Sequence, residues 1–302
     1  MYTIPHRPVG ETGPKVSEIG LGCNRIGEDF LSDKEWIRML NQAADWGITV
    51  FDTAARYADG RSQELIGKAF GNRQDVVIAT KVNPPNSGGF TYESIVRGAE
   101  ECLRILKRDC IDIFQTHGSG SLEEVKNLAF AEAMNHLKQS GKIRVRASAT
   151  FDDEGACFAM ENDLVDALQI TYNLIDRSHA LPILPVAAEY GVGLLARMPY
   201  HRGSLTGKFS PGKKIPEGHR ALLQGDKLKD DIEIAERFRT LGEKRGGGMG
   251  ELAMQYVLYE KRVSATIPGA RSIEQLKSNI DNAIAPPLAD EELKEIELLQ
   301  RL

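Results

Sequence analysis

Eight short apolar runs, rich in β-branched residues, recur along this chain, and segments with helical periodicity separate most of them. The strand-like runs lie at residues 19–23, 49–52, 76–81, 111–116, 143–149, 167–172, 192–196 and 264–267. Helices are predicted at about 33–46, 62–70, 92–107, 122–139, 153–162, 184–190, 231–245, 250–260, 272–283 and 290–302. This alternation predicts an α/β fold with a parallel sheet.

Two architectures fit eight strands with helical partners: an open doubly wound sheet and a closed (β/α)8 barrel. An open sheet that binds a dinucleotide should carry GxGxxG after its first strand, but Gly20-Leu21-Gly22-Cys23-Asn24-Arg25 lacks the third glycine. The length of 302 residues suits a barrel, which needs about 250. We therefore predict a single (β/α)8 TIM-barrel domain over residues 1–302. Turn residues within the first 18 positions predict a β-hairpin that caps one end.

Composition argues against several functional classes. Lys and Arg total 38 against 43 Asp and Glu, and the resulting net charge of −5 does not suit a nucleic-acid or anionic-membrane binder. No apolar run approaches the ~20 residues that a membrane-spanning helix requires. The N-terminal residues lack the pattern of a secretion signal, so we expect a cytoplasmic protein. The four cysteines show no metal-binding spacing, and we expect no metal site.

Four chemically active side chains follow three consecutive predicted strands. Asp52 ends one strand and Tyr57 follows it by five residues, while Lys81 and His117 end the next two strands. The carboxyl ends of parallel strands meet at one face of a barrel, where active sites collect. We therefore expect these four residues to lie together.

The four residue types suit the proton transfer that accompanies hydride transfer to a carbonyl. A free phenol, with a pKa near ~10, is a poor acid or base at neutral pH. A neighbouring ammonium favours its ionisation, so Lys81 would activate Tyr57 as the proton donor. A buried lysine needs a counter-charge, which Asp52 would supply. His117 would hydrogen-bond the substrate oxygen or share in the proton transfer.

Each of these residues also has an ordinary structural explanation. Asp52 could cap a turn, Tyr57 could lie at a barrel rim, and Lys81 could be solvated. His117 alone is more often a structural histidine than a catalyst. Because the structural explanation requires four coincidences at successive strand ends, we favour the functional one.

The chain resembles the aldo-keto reductases in several ordered blocks. These are Val16–Gly22, Phe51–Ala54 with Tyr57, Ala79–Lys81, Asp112–His117, Gly141–Arg144, Gln169–Asn173, Leu205–Lys208, Ile267–Arg271 and Ser272–Leu276. The resemblance implies an NADP-dependent oxidoreductase that acts on a carbonyl or alcohol, with Asp52, Tyr57, Lys81 and His117 as the catalytic tetrad. It also implies that a barrel without a Rossmann fold binds NADP(H), or less often NAD(H).

The same resemblance implies roles for residues along the cofactor. Gln169 should hold the nicotinamide carboxamide, and the planar guanidinium of Arg197 should stack on the ring. Arg271 should bind the adenosine 2′-phosphate. The full set of expected cofactor residues is Gly22, Cys23, Thr150, Gln169, Arg197, Leu205, Lys208, Gly269, Arg271, Ser272, Gln275 and Asn279. For Arg271 the alternative is a surface ion pair, and for Gln275 and Asn279 it is a solvated helix face.

The end of the fifth strand departs from the family pattern, which usually places a Ser-Asn or similar pair there. This chain offers Ser148 and Thr150, which alternation places on the same side of the strand. We choose Thr150 as the residue that holds the carboxamide.

The substrate is expected to be a small carbonyl or alcohol compound. We expect no long C-terminal loop of the kind with which some family members shape their pocket. The polar residues Arg56, Asn83, Tyr200 and His201 are the candidate specificity residues, and they favour an aldehyde, a ketone or a sugar-like compound. The alternative for all four is that they are exposed loop residues without a role in substrate binding. The polar stretch 201–230 could order over a bound cofactor.

Two other functions remain open at this point. Lys81 could form a Schiff base in a barrel lyase. A non-enzymatic, cofactor-binding regulatory subunit is also possible, since some relatives of the family regulate other proteins.

Overall fold

The computed structural model of the protein describes residues 2–85, 89–118, 121–150, 152–215, 225 and 227–301. Residues 216–224 and 226 of the stretch 201–230, which we expected could order over a bound cofactor, therefore lie outside the described residues. Within the described part, a two-stranded antiparallel sheet of β1 (His6–Pro8) and β2 (Lys15–Ser17) precedes an eight-stranded parallel sheet. The parallel strands are β3 (Leu21–Gly22), β4 (Val50–Asp52), β5 (Val77–Val82), β6 (Ile111–His117), β7 (Ile143–Ala149), β8 (Ala167–Thr171), β9 (Gly193–Arg197) and β10 (Val263–Thr266). Each lies within a predicted run or overlaps it by most of its length.

The parallel sheet closes on itself. Neighbouring strands follow chain order from β3 to β10. The two edges meet where the N–H of Gly20 donates to the carbonyl of Thr266 at 2.7 Å, and the N–H of Thr266 donates to the carbonyl of Glu18 at 2.9 Å. Ile19 pairs in parallel with Thr266 at the same junction. The architecture is therefore the predicted (β/α)8 barrel.

Helices surround the barrel. They are α1 (Asp33–Asp45), α2 (Arg61–Phe70), α3 (Tyr92–Leu106), α4 (Leu122–Lys126), α5 (Leu128–Gln139), α6 (Asp153–Glu161), α7 (Ala180–Glu189), α8 (Lys227–Glu236), α9 (Arg239–Arg245), α10 (Gly248–Tyr259), α11 (Ile273–Ala283) and α12 (Asp290–Leu299). Short 3-10 segments occupy Tyr57–Gly60 and His201–Thr206. Among the described residues, no helix has both the length and the apolar character that crossing a membrane requires.

Two predicted helices are interrupted. The pattern over 122–139 suggests one helix, but Asn127 takes an extended ψ of 119°, and its side chain caps α5 by accepting from the N–H of Ala129. The pattern over 231–245 divides at Arg237 and Phe238, whose N–H groups donate to carbonyls three residues back. Helix α7 begins at Ala180, four residues before the predicted start at 184.

The N-terminal hairpin closes the amino end of the barrel. Val9 and Val16 are fully buried and belong to the same apolar cluster as the side chains inside the barrel. The N–H of Glu11 donates to the carbonyl of Gly191, just before β9 begins. The hairpin is therefore the predicted cap, and the opposite, carboxyl end of the barrel is left for the functional site.

Alternation along the strands determines which side chains reach that open end. Apolar residues such as Val50, Ala79, Ile113 and Leu195 fill the barrel interior. Because successive side chains point to opposite faces, the positions two or four residues later continue on the inner face. The inward positions nearest the carboxyl end are Asp52, Lys81, Gln115, His117, Gln169 and Arg197.

Candidate active site

An ion pair between Asp52 and Lys81 lies at the centre of the open end of the barrel. Nζ of Lys81 donates to Oδ1 of Asp52 at 2.6 Å, to Oδ2 at 2.7 Å and to the carbonyl of Thr53 at 2.9 Å. Lys81 is 0% exposed and Asp52 is 3% exposed. Burial lowers the pKa of Lys81, and the Asp52 carboxylate opposes that shift. The pair supplies a buried, compensated positive charge.

Two buried glutamines complete the surroundings of Asp52. The side-chain amide of Gln169 donates to Oδ1 of Asp52 at 2.7 Å, and that of Gln115 donates to the same oxygen at 3.3 Å. Hydrogen bonds to the charged form of a carboxylate stabilise that form. Both glutamines therefore supply hydrogen bonds to the carboxylate oxygen that also faces Lys81.

Tyr57 and His117 lie beside this pair. The ring centroids of Tyr57 and His117 are 5.8 Å apart, with the planes nearly perpendicular at 87°. Nζ of Lys81 is 5.3 Å from the centroid of the Tyr57 ring. All three hydrogen bonds of Lys81 go to Asp52 and Thr53, so its influence on Tyr57 is through charge. The structure thus brings together the four residues that the sequence singled out.

His117 is a neutral imidazole in this environment. Burial lowers its pKa to about 4, and the positive charge of Lys81 contributes to the shift. Asp52 opposes this effect, while Arg197 and Arg56 add smaller contributions. Nδ1 of His117 lies 3.2 Å from Oδ1 of Asn83, and Nδ2 of Asn83 donates to the carbonyl of His117 at 3.4 Å. Asn83, a candidate specificity residue, is therefore in direct contact with His117.

Arg197 lies across the barrel opening from this group. Its Nε donates to Oγ1 of Thr171 at 3.0 Å, and its Nη2 donates to the carbonyl of Thr150 at 2.9 Å. Burial lowers its pKa to about 10, and the charges of Tyr57 and Asp52 oppose that shift. The guanidinium is thus held in a fixed position near Tyr57.

The side chains of Ser148 and Thr150, the two candidates for holding the carboxamide, point away from the barrel interior. Ser148 accepts a hydrogen bond from Thr116 on the outer side of the sheet, at 3.0 Å. The hydroxyl of Thr150 donates a hydrogen bond to the carbonyl of Asp152 and accepts one from the N–H of the same residue. The inner position at this end of β7 is Ala149, because inward Val145 and Ala147 fix the alternation. Thr150 therefore reaches the site through its carbonyl, which contacts Arg197.

The expected phosphate-binding residues gather where α11 begins. Ser272 caps the helix by accepting from the N–H of Gln275. We expected the side chains of Gln275 and Asn279 to reach adenine, but in the structure both form hydrogen bonds with the main chain of the loop before α11. Gln275 accepts from the N–H of Arg271 at 2.9 Å, and Asn279 donates to the carbonyl of Gly269 at 3.2 Å. They therefore fix the loop from which the exposed Arg271 side chain projects.

Arg271 stacks on an aromatic ring that the sequence analysis did not identify. Its guanidinium carbon is 5.1 Å from the centroid of the Phe30 ring, and that of Arg25 is 5.4 Å from the same centroid. Arg25 pairs with Glu28 at 2.6 Å, whereas Arg271 forms no ion pair with any described residue. The described residues therefore do not support the alternative explanation of Arg271 as a member of a surface ion pair.

The remaining expected cofactor residues lie around the same opening. Gly22 and Cys23 follow one another at the end of β3, where a Cβ on Gly22 would lie 2.7 Å from the carbonyl oxygen of Ile267. Leu205 is fully buried in the 3-10 segment after β9. Lys208 follows that segment with an exposed side chain. Only Lys208 of these residues offers a charge to solvent.

Two of the candidate specificity residues face other parts of the fold. The hydroxyl of Tyr200 accepts from Asn282 of α11 at 3.0 Å. His201 is 5% exposed, and its Nε2 lies 3.0 Å from Oδ2 of Asp231 in α8. The structure does not bring either residue into contact with the Asp52 cluster. Arg56 is exposed at the rim beside Tyr57.

The sequence analysis missed Gln115 and Phe30. Gln115 precedes His117 by two residues on β6, so strand alternation alone could have placed both on the inner face. No comparable pattern identifies Phe30, an aromatic residue in a loop whose contact with Arg271 is long-range.

Comparisons with known proteins agree with this geometry. The model of the Aldo/keto reductase family matches residues 18–301. The uncharacterized oxidoreductase YqkF of Bacillus subtilis is 30% identical over 301 residues, which cover 96% of this chain and 95% of that protein. A putative voltage-gated potassium channel subunit beta of Schizosaccharomyces pombe is 31% identical, with 92% and 87% covered. The structure of an aldo-keto reductase from Bacillus halodurans in its holo form superimposes with a TM-score of 0.82 at 28% identity, over 98% of this chain and 96% of that chain. The chain therefore belongs to the aldo/keto reductase family of oxidoreductases.

Proposed function

We propose that this protein transfers a hydride between NADP(H) and a small carbonyl or alcohol compound, with Tyr57 as the general acid and base. The observation that carries the proposal is the cluster of Asp52, Lys81, Tyr57 and His117 at the open end of the barrel. Membership of an oxidoreductase family supports the reaction class.

The charge arrangement suits proton transfer by a phenol. In the reducing direction Tyr57 gives its proton to the oxygen of the substrate, and the ammonium of Lys81 stabilises the phenolate that remains. Asp52 keeps Lys81 charged despite complete burial. In the oxidising direction the same phenolate accepts the proton of the alcohol.

The loop before α11 fits a phosphate-bearing cofactor. Arg271 has a guanidinium without an ion-pair partner among the described residues, and it lies next to the helix N-terminus, which favours anions. A bidentate guanidinium suits a phosphate, which supports NADP(H) over NAD(H). The holo form of the Bacillus halodurans structure also supports a bound cofactor in this family. When bound, the nicotinamide supplies or accepts the hydride.

Gln169 and Arg197 would hold the nicotinamide end. The amide nitrogen of Gln169 is engaged by Asp52, so its oxygen would accept from a carboxamide N–H. The guanidinium plane of Arg197, fixed by Thr171 and Thr150, would lie against the ring. These contacts would place the reacting carbon near Tyr57.

The proposal is tested by following NADPH oxidation with a panel of small aldehydes, ketones and sugars. Tyr57→Phe should lower kcat by roughly 10²- to 10⁴-fold because it removes the transferred proton, and it should leave NADPH binding unchanged. Tyr190→Phe is the matched control, since Tyr190 is 46% exposed on the outside of the barrel. Full activity of Tyr57→Phe, or no NADPH binding by the wild type, would contradict the proposal.

A regulatory subunit is the second candidate, because three relatives carry names of potassium channel beta subunits, at 31%, 28% and 28% identity. Absence of turnover with every carbonyl tested, combined with tight NADPH binding, would favour it. A Schiff-base lyase is less well supported, because the three hydrogen bonds of Lys81 stabilise an ammonium rather than a free amine nucleophile.

A further inference from the structure

Of the four candidate specificity residues, the structure leaves one whose side chain is not engaged elsewhere. Tyr200 and His201 are held by residues of α11 and α8, away from the site. Both polar atoms of the Asn83 side chain contact His117. Arg56 is exposed and forms no hydrogen bond or ion pair with any described residue. Arg56 is therefore the residue of this set that remains able to bind a substrate.

Arg56 lies on the path by which a substrate bound at Tyr57 would extend out of the barrel. It directly precedes Tyr57, so the two Cα atoms are about 3.8 Å apart. Apolar side chains such as Val50 and Ala79 fill the barrel below the buried ion pair of the site. A carbonyl compound whose oxygen contacts the Tyr57 hydroxyl therefore has to extend its substituents toward the rim, where Arg56 is exposed.

Positively charged side chains predominate around His117. Burial is the largest cause that lowers the pKa of His117. Three cations, Lys81, Arg197 and Arg56, lower it further, and Asp52 opposes them. Asp52 is already bound to Lys81, and Arg197 would lie against the nicotinamide. Arg56 is thus the cation that is left for the substrate.

We propose that Arg56 is a specificity-determining residue that binds an anionic group, a carboxylate or a phosphate, on the carbonyl substrate. This inference rests on the proposed function, for which the carbonyl oxygen lies at Tyr57. A guanidinium donates charge-assisted hydrogen bonds to either anion, and these are roughly twice as strong as hydrogen bonds between neutral groups. The protein therefore prefers aldehydes that carry an acidic group to neutral aldehydes of the same length.

Paired aldehydes measure this preference with NADPH as the reductant. The ratio of kcat/KM for 4-oxobutanoate to that for butanal reports on a carboxylate, and the ratio for glyceraldehyde 3-phosphate to that for glyceraldehyde reports on a phosphate. We expect at least one ratio to reach roughly ten at low salt, which is the effect of one hydrogen bond to a charged group. The pair with the larger ratio identifies the anion. The ratio should fall as NaCl is added, because salt screens exposed charges.

Substitution of Arg56 separates its charge from its packing. Arg56→Gln should lower the larger ratio roughly ten-fold, mainly through a higher KM for the anionic aldehyde. Arg56→Lys keeps the charge and should retain part of the preference. Arg97→Gln, which changes an exposed arginine on α3, is the matched control and should leave the ratio unchanged. A purely structural role of Arg56 would lower the rates of both aldehydes together and leave the ratio unchanged, which overturns the proposal.

Binding without turnover provides the second readout. The alcohols 4-hydroxybutanoate and glycerol 3-phosphate cannot react with the NADPH complex, because alcohol and cofactor are both already reduced. Calorimetry should show that at least one of them binds roughly ten-fold more tightly than its neutral counterpart, butan-1-ol or glycerol, and that Arg56→Gln removes the difference.

The two readouts distinguish failure of this inference from failure of the proposed function. Ratios near one in both aldehyde pairs, or an anion preference that survives in Arg56→Gln, overturn the role of Arg56 and leave the proposed function intact. Tighter binding of an anionic alcohol without turnover of any aldehyde would refute the proposed function and leave the anion site at Arg56 intact.

Discussion

Nζ of Lys81 lies 2.6 Å and 2.7 Å from the two carboxylate oxygens of Asp52, and the ammonium is completely buried. Removing one partner leaves the other as an uncompensated buried charge. We therefore expect Asp52→Asn to lower the free energy of unfolding by about 3–5 kcal/mol. Urea unfolding followed by circular dichroism measures this change.

The double variant Asp52→Leu/Lys81→Met separates charge from packing. Replacing both charges with apolar side chains removes the uncompensated charge and should recover part of the lost stability. Recovery is incomplete because Gln115 and Gln169 lose their shared acceptor. If the double variant is less stable than Asp52→Asn, the pair is not the stabilising unit described here.

The barrel and the four clustered residues could be predicted from the sequence because both follow from strand periodicity. Apolar runs locate the strands, and the carboxyl ends of parallel strands meet at one face. The family resemblance then implied roles for Gln169, Arg197 and Arg271.

The side-chain partners could not be predicted, since they depend on rotamers and on long-range packing. The contact between Asn83 and His117 joins the residue after β5 to the end of β6, and that between Phe30 and Arg271 joins loops more than two hundred positions apart. The helix predicted over 122–139 also failed at Asn127, whose side chain offers a local cap that competes with helix continuation.

Arg271→Ala should weaken NADPH binding by roughly ten- to a hundred-fold, because it removes a charged hydrogen-bond donor from the phosphate. NADH, which lacks the 2′-phosphate, should bind with unchanged affinity. Fluorescence titration with both nucleotides measures the effect. Arg97→Ala, an exposed arginine on α3, is the control. Equal loss for both nucleotides would contradict a role at the 2′-phosphate.

Phe30→Ala should also weaken NADPH binding, but less than Arg271→Ala does. The ring supports the Arg271 guanidinium at 5.1 Å, and a partly exposed contact of this type contributes about 0.5–1 kcal/mol. We expect NADPH binding to weaken roughly two- to five-fold. In the Arg271→Ala background the same substitution should add little, and a full additional loss would show that Phe30 acts independently of Arg271.

His201→Gln should change stability rather than substrate affinity. His201 is buried against Asp231 of α8, away from the Asp52 cluster. Loss of this contact should lower the free energy of unfolding by about 1–3 kcal/mol, with little change in KM for an aldehyde. Urea unfolding and steady-state kinetics on the same preparation distinguish a change in stability from a change in substrate affinity. A large rise in KM with unchanged stability would instead favour a role in substrate binding.

The His117 imidazole should titrate far below an ordinary histidine. Its pKa is lowered to about 4 by burial and by Lys81, whereas the unfolded chain should titrate near ~6.5. Between these two values the unfolded state binds more protons than the folded state, so stability falls as pH falls. The contribution of neutral His117 to the free energy of unfolding is fully present above the pKa of the unfolded chain, and it is lost progressively as the pH falls toward ~4. NMR titration should give the midpoint, and His117→Gln should flatten the pH dependence of unfolding in this window. A midpoint near ~6.5 in the folded protein would mean that neither burial nor Lys81 acts on the ring as described.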